Sequence, residues 1–369
     1  MGILGMAVCE PFDAAALPRP FGLNNTGVIC HFNSLLQGLA TCPAFISAVT
    51  GNVSYMSRTA TGGALYNFAR AVKESADREG FVVDPSHSER AIRALVGDLR
   101  RRRPNIGFGS GMESASEGLA LLLDMCEPES GTSTADAARA DAVASAGQAT
   151  NPVSAVFMQR TVVQTWCEQC HRRGRRGPDV PARCKPGVVA YRRDISYQRH
   201  FFNHTPDLKT PAGFARALVS TVDALQDYKC EACEAAGDDP KKGQVYRSYR
   251  MMRAPPVLQV VFNQYAGHTW HYFPHLFRLR SGAGGHFVYR AVAQVEHSGT
   301  LSGGHYWAKA LRRAPPGGLA KYTLNDSMFS PAGPQAIAPS AQTYMVFYHF
   351  DREEAAEAAE GEPAAAGRG

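Results

Sequence analysis

Two C-x-x-C pairs, Cys167-Glu168-Gln169-Cys170 and Cys230-Glu231-Ala232-Cys233, constrain this chain more than any other feature. Each pair can turn back on itself as a knuckle. Together they supply four thiolates, the donor set of a closed, tetrahedral structural zinc. The pairs lie far apart in sequence, so the fold must bring two strand pairs together in space. Nine cysteines among 369 residues are too few for a disulfide scaffold. Their paired spacing argues instead for metal in a reducing compartment. A redox role is the lesser reading, because neither pair opens a thioredoxin-like βα unit. Cys184 reads as a bystander, and Cys9, Cys42 and Cys126 as packing or surface thiols.

The apolar pattern divides the chain. Residues 1–19 read as a loose leader. From Cys30 the residues Phe32, Leu35, Leu36 and Leu39 recur at helical spacing, and Pro43 stops that helix. Further amphipathic helices are expected over about 64–77, 88–100 and 113–126, which makes 20–126 a helical unit. The stretch 127–152 is rich in small and polar residues without a periodic face, and reads as a flexible insertion. Residues 153–350 are β-rich, with strands expected at 156–166, 257–263, 269–280, 286–295, 305–311 and 343–350 and one helix at 212–226. The class is therefore α+β, with a cleft between a helical and a β-rich half. Residues 351–369 hold six acids against two arginines and read as a disordered acidic tail. That tail carries −4 of the chain's net +6, leaving a remainder near +10.

Three segments carry chemistry. Phe21 to Cys30 is a Gly- and Asn-rich loop ending where a helix begins, and a thiol there feels the positive end of the macrodipole. Gly22 and Gly27 permit the turns that would expose the sulfur. Asn25 offers side-chain N–H groups to a developing oxyanion, beside the Cys30 amide. In the second half, a Gly-rich turn leads into His305-Tyr306-Trp307, and a later strand ends at Asn325-Asp326, polar groups able to orient an imidazole. Cys, His and Asn/Asp in that order form the arrangement of a papain-like thiol hydrolase. Each residue alone has a blander reading, Cys30 as a buried helix-start thiol and Asn325-Asp326 as an ordinary turn.

The segments together resemble the ubiquitin-specific proteases, a family of deubiquitinases. Gly22 to Gln37 is similar to the family's Cys box, Gly304-His305-Tyr306 through Asn325-Asp326 to its His box, and Tyr344 to Tyr348 to its closing strand. Tyr228-Lys229-Cys230 onward, with Pro255 to Phe262, is similar to its zinc-bearing fingers. The resemblance spans about 20–350 and implies a papain-like fold of thumb, palm and fingers. It implies Cys30 as nucleophile, His305 as general base, Asn325 as its orienting partner, Asn25 as oxyanion donor and Asp326 as support. A structural Zn2+ on Cys167, Cys170, Cys230 and Cys233 would hold the fingers that grip ubiquitin or a ubiquitin-like modifier.

Departures from that pattern are specific. Val28-Ile29 replaces Asn-Thr before the nucleophile, His31 replaces an aromatic after it, Lys321 stands for a Trp, and Ser114 for an Asp, while Glu117 is kept. They leave open a catalytically weak or inactive ubiquitin-binding module. A third reading is a zinc-stabilised nucleic-acid binder using Arg100–Arg103 and Arg172–Arg176; neither run is interleaved with aromatics, so nucleic acid is the lesser partner. No apolar run approaches the roughly 18 residues a membrane span requires, and the N-terminus lacks a basic region before its apolar stretch. Sequons at Asn24 and Asn325 would place glycans inside the candidate site. An intracellular, cytoplasmic or nuclear, monomer is expected.

Overall fold

The computed structural model describes residues 5–6, 10–105, 114–128, 151–196, 198–201, 209–241, 243–262, 270, 272–281, 285–300, 303–314 and 318–355. After a two-residue strand, β1 (Gly5–Met6), come helices α1 (Cys30–Leu39), α2 (Pro43–Thr50), α3 (Val53–Met56), α4 (Ala60–Asp77), α5 (His87–Arg102) and α6 (Ala115–Cys126). Then follow β2 (Gln159–Cys167), α7 (Glu168–Arg172), β3 (Val188–Ser196), β4 (Arg199–Phe201), α8 (Pro211–Val219), β5 (Ser220–Leu225), α9 (Glu231–Glu234), β6 (Val245–Ala254) and β7 (Val257–Phe262). The chain closes with β8 (Leu276–Arg280), β9 (His286–Thr300), β10 (Gly303–Ala314), β11 (Gly318–Asn325), β12 (Met328–Ala332) and β13 (Thr343–Glu354).

Helix α1 is the axis of the molecule. Every residue of it is buried, because it packs on the helical side against α6 and α5 and on the other against β9, β10 and β11. Two devices seat it. Gly38 lies against the Phe347 ring of β13, where an added Cβ would meet a ring carbon at 2.4 Å. Arg312 of β10 is fully buried and donates to the Gln37 carbonyl (3.0 Å), to Gln37 Oε1 (2.6 Å) and to the Thr41 hydroxyl. Its guanidinium lies over the Phe21 ring at 5.4 Å. Burial pulls the Arg312 pKa down to about 9, so neutral acceptors and a ring face, rather than a carboxylate, solvate this cation.

Helix ends follow local rules. Thr59 caps α4 by accepting from Gly62 N, and Thr210 caps α8 with Pro211 in its first turn. Ser114 caps α6 by accepting from Glu117 N, a serine-to-glutamate capping pair.

Two sheets complete the fold. An eight-stranded sheet runs β12-β11-β10-β9-β13-β7-β4, with β8 on β9. A five-stranded sheet runs β1-β6-β2-β3, with β5 on β6. The second sheet ends at the four cysteines, which with Val245 form a separate small core.

Several expectations give way. The leader is not loose from residue 10 onward: Leu17 is fully buried, Phe12 N donates to the Phe350 carbonyl and Arg313 N to that of Pro18. The helix expected over 212–226 stops at Val219, because Ser220–Leu225 pairs with β6 instead. Val222, counted as inward on a helix, is 63% exposed on that strand. The acidic tail starts as strand, since Asp351 pairs with Arg290 (2.7 Å) and Glu354 with Arg278 (2.6 Å). Strands β3, β5, β6 and β12 lacked a clean apolar alternation. Residues 129–150 of the expected insertion and 356–369 of the tail lie outside the described residues, as does residue 113 of the third helix.

The Gly38–Phe347 contact yields a prediction. Gly38→Ala should lower stability by about 1–3 kcal/mol through overpacking. Adding Phe347→Leu should recover part of that loss. Urea midpoints of the two variants and their combination check it.

Candidate active site and metal centre

The loop before α1 and the hairpin β11–β12 meet through one carboxylate. Asp326 sits in the turn of that hairpin at φ 51°, a left-handed conformation that aspartate tolerates better than most residues. Its Oδ1 accepts from Asn33 Nδ2 (2.7 Å) and its Oδ2 from Asn25 Nδ2 (2.9 Å). Its backbone carbonyl accepts from Leu23 N (2.8 Å). Gly22 makes the approach possible, because a Cβ there would stand 2.2 Å from the Ser327 carbonyl oxygen.

Cys30 opens α1 and is buried beside β10, where the Tyr306 backbone hydrogen-bonds its sulfur. Burial pushes the thiol up, and the Asp326 charge adds to this; the Tyr306, His31 and Cys30 backbone groups pull the other way. The helix-terminal pull expected from sequence is present and is outweighed by desolvation. His305, half-buried on β10, lies next to Tyr306 in sequence, and its Nε2 is 2.6 Å from Asn325 Oδ1. So Cys30, His305, Asn325 and Asp326 gather at the junction of α1 with β10 and β11.

Asn25 has partners that its sequence position did not suggest. One of its amide hydrogens goes to Asp326, and its Oδ1 accepts from Gly27 N and Ile29 N, both at 3.3 Å. Its first job in this state is to shape the loop before Cys30.

Three participants escaped sequence reasoning. Asn33 lies one turn after Cys30 and also donates to the Asn24 carbonyl (3.1 Å); a polar residue at i+3 from Cys30 was the available signal. Trp307 lies two residues after His305, and the rings stack at 22° with centroids 6.0 Å apart. Its indole N–H donates to Glu296 Oε2 (2.7 Å), a carboxylate 1% exposed that also takes Lys309 (2.7 Å) and the Ser340 hydroxyl (2.7 Å). The signal was His305, Trp307 and Lys309 at strand alternation.

At the far end of the five-stranded sheet, Cys167, Cys170, Cys230 and Cys233 are buried with their sulfurs within 4.8 Å of one another. Separations of 3.8, 3.7 and 3.3 Å join Cys167 to Cys233, Cys170 to Cys230 and Cys170 to Cys233. Four thiolates at the usual zinc–sulfur distance sit roughly 3.8 Å apart. The donor set fits a metal ion. Cys184, held near Gln164 at 3.9 Å, stands outside it.

The family model described as ubiquitin carboxyl-terminal hydrolase matches residues 21–348. The chain belongs to that family. It is accordingly a cysteine-type ubiquitin hydrolase, a deubiquitinase, as the Cys and His boxes led one to expect. Solved structures agree in fold. The yeast SAGA DUB module with an Sgf73 mutant matches at TM-score 0.62 and 16% identity over 94% of this chain and 71% of that one. The SAGA Ubp8/Sgf11/Sus1/Sgf73 DUB module matches with TM-score 0.61 when bound to monoubiquitin and 0.60 when bound to ubiquitin aldehyde, each at 16% identity over 94% of this chain and 72% of that one. Those are multi-protein assemblies, so the expected monomer gains no support from them. The sequence finds no match among curated proteins. Among the described residues no single helix is long and apolar enough to cross a membrane; α1 and α2 pass that test only as a pair bent by 91°.

His31 gives a pH test. It is fully buried, its Nδ1 3.2 Å from the Val28 carbonyl oxygen, and burial holds its pKa down at about 4; burial does the same to His349. Both are depressed below the unfolded value of 6.5, so the stability they confer is complete above that pH and is lost as pH falls towards 4. Each loss is worth up to about 3 kcal/mol. The urea midpoint should fall across that window, and His31→Phe should flatten part of the slope.

Proposed function

We propose that Cys30 is the nucleophile of this deubiquitinase, His305 its general base and Asn325 the group that orients the imidazole. The 2.6 Å His305–Asn325 pair carries this reading. With Nε2–H donated to Asn325, Nδ1 keeps the lone pair that accepts the Cys30 proton. The thiolate attacks the carbonyl of the C-terminal glycine of ubiquitin or a ubiquitin-like modifier. The Cys30 amide and the second N–H of Asn25 would hold the oxyanion. His305 returns the proton to the leaving lysine amine, and water then cleaves the thioester. Asp326 acts through Asn25 and Asn33, as a positioning residue. The raised Cys30 thiol and the Val28-Ile29 substitution favour one second reading, a ubiquitin-binding module with weak turnover.

We further propose that the cysteine cluster holds a structural Zn2+, that the five-stranded sheet serves as fingers on ubiquitin, and that residues 20–126 form the thumb. Reduced thiols at both sites suit an intracellular, cytoplasmic or nuclear, location.

A ubiquitin probe with a C-terminal electrophile, read by intact mass, tests the first proposal. Wild type should form a one-ubiquitin adduct and a folded Cys30→Ala variant none; an adduct on that variant would overturn the assignment. Binding without an adduct on wild type would select the weak-turnover reading. Asp326→Ala should slow labelling by about 100-fold, as expected for a displaced nucleophile loop, while Asp326→Asn should recover part of the rate.

Metal analysis should find one zinc per chain. Its removal by a strong chelator should speed amide exchange in β2 and β6 before it affects α1. Equal loss of protection in α1 would contradict a local structural role.

A further inference from the structure

Both conspicuous basic runs in the sequence are answered from within the fold. Arg101 pairs with Asp98 (3.1 Å), Arg103 with Asp124 (2.8 Å), and Arg102 donates to the Glu127 carbonyl (2.7 Å). Arg172 pairs with Glu168, Arg173 and Arg175 share Asp238 (3.0 and 2.6 Å), and Arg176 donates to the Cys184 carbonyl (2.6 Å). These runs brace α5 against α6 and stiffen the cysteine knuckle.

A set of arginines scattered over three strands of the five-stranded sheet behaves in the opposite way. The register of the five-stranded sheet sets Arg160 opposite Arg253, and Val162 between Arg193 and Arg250. It sets Gln164 opposite Tyr191, and Trp166 opposite Tyr246. Residues directly opposite share a face. One face therefore carries Arg160, Arg193, Arg250 and Arg253 at its base and Tyr191, Trp166 and Tyr246 towards the knuckle. The β5 positions on that face are Ser220, Val222 and Ala224, and none of these strand positions is an acid. Asp223 stands opposite Arg247, on the other face.

Like charges set opposite each other destabilise a sheet, so Arg160 against Arg253 is a cost that folding alone does not explain. The Arg160 guanidinium is pulled down first by burial, then by Arg253 and Arg193, and its Nε is buried with no hydrogen-bond partner. Nearby, Arg183 lies over the Tyr191 ring at 5.6 Å. At the aromatic end Tyr246 is 36% exposed, and its ring lies 5.8 Å from that of the half-buried Trp166, which His171 packs at 5.2 Å. An anion laid across this face would relieve the repulsion, and rings beside guanidinium groups offer flat surfaces to bases.

We propose that this face of the five-stranded sheet binds single-stranded nucleic acid, Arg160, Arg193 and Arg253 taking phosphates and Tyr246, backed by Trp166, stacking a base. The rings select against an acidic peptide, which needs the charges alone. A sheet face offering rings favours splayed, unpaired bases over a duplex, whose bases are already stacked.

Fluorescence anisotropy with a labelled single-stranded oligouridine of about 20 nucleotides tests this on the full chain. Binding should weaken steeply as salt rises. Arg160→Gln with Arg253→Gln should weaken it about tenfold at low salt and flatten the salt dependence by close to two phosphate contacts. Arg160→Lys with Arg253→Lys should keep most of the affinity. Tyr246→Ala should weaken binding by roughly tenfold with the salt slope unchanged. Melting temperature and zinc content serve as controls for folding. Absence of binding at low salt would overturn the proposal. So would binding indifferent to these variants, or equal competition by duplex RNA or by polyglutamate.

Discussion

Asp326 ties the two halves of this molecule together at the site. Asp326 receives Asn25, Asn33 and, on its backbone, Leu23, so the loop before Cys30, the helix after it and the strand ending at Asn325 share one anchor. Geometry at a reacting centre must hold to fractions of an ångström. Cys30 on a helix and His305 on a sheet would otherwise drift with every adjustment of the core between them. The surrounding constraints serve that anchor: Gly22 admits the Ser327 carbonyl, Gly38 fits beneath Phe347, and Arg312 ties the far end of α1 to β10.

The same closeness has an electrostatic consequence. Burial and the Asp326 charge both favour the neutral Cys30 thiol, so the anchor that positions the sulfur also opposes its ionisation. On the other side, His305 lies against the Trp307 ring, which Glu296 orients. That stack and the indole N–H to Glu296 fix the plane of the His305 ring from one side while Asn325 holds its Nε2. The site therefore holds its sulfur in place at the cost of opposing the thiolate.

Much of this was legible in sequence, for reasons specific to each residue. Cys30 and His305 stood out because they follow Gly-bearing loops where elements begin, Asn325 because it closes a strand with a second polar residue beside it, and the four knuckle cysteines because thiol spacing carries its own chemistry. The α+β class followed from the change of apolar period near residue 153. What stayed hidden depends on pairing. Helix period placed Val222 and Leu225 in phase with Phe214 and Leu218, yet the edge of β6 captured Ser220–Leu225 as strand; tertiary pairing overrode local pattern. Likewise the acids of 351–354 looked like the start of a disordered tail until Arg278 and Arg290 came alongside. The bond from Asn25 to Asp326, 301 positions away, lay beyond any local rule.

Charge obeys the same logic. A run such as Arg100–Arg103 is conspicuous because it is contiguous, but contiguity on a helix spreads side chains around the axis, where Asp98 and Asp124 can reach them. Strand register does the reverse, gathering Arg160, Arg193 and Arg253 from three strands onto one surface. There the alternation that sends neighbours to the opposite face also sends Asp223 away. Whether a basic residue is spent on the fold or remains at the surface is thus decided by pairing rather than by density along the chain. In this protein the dense runs are structural, as are the isolated Arg290 and Arg312, while the arginines that register gathers on one sheet face make the field.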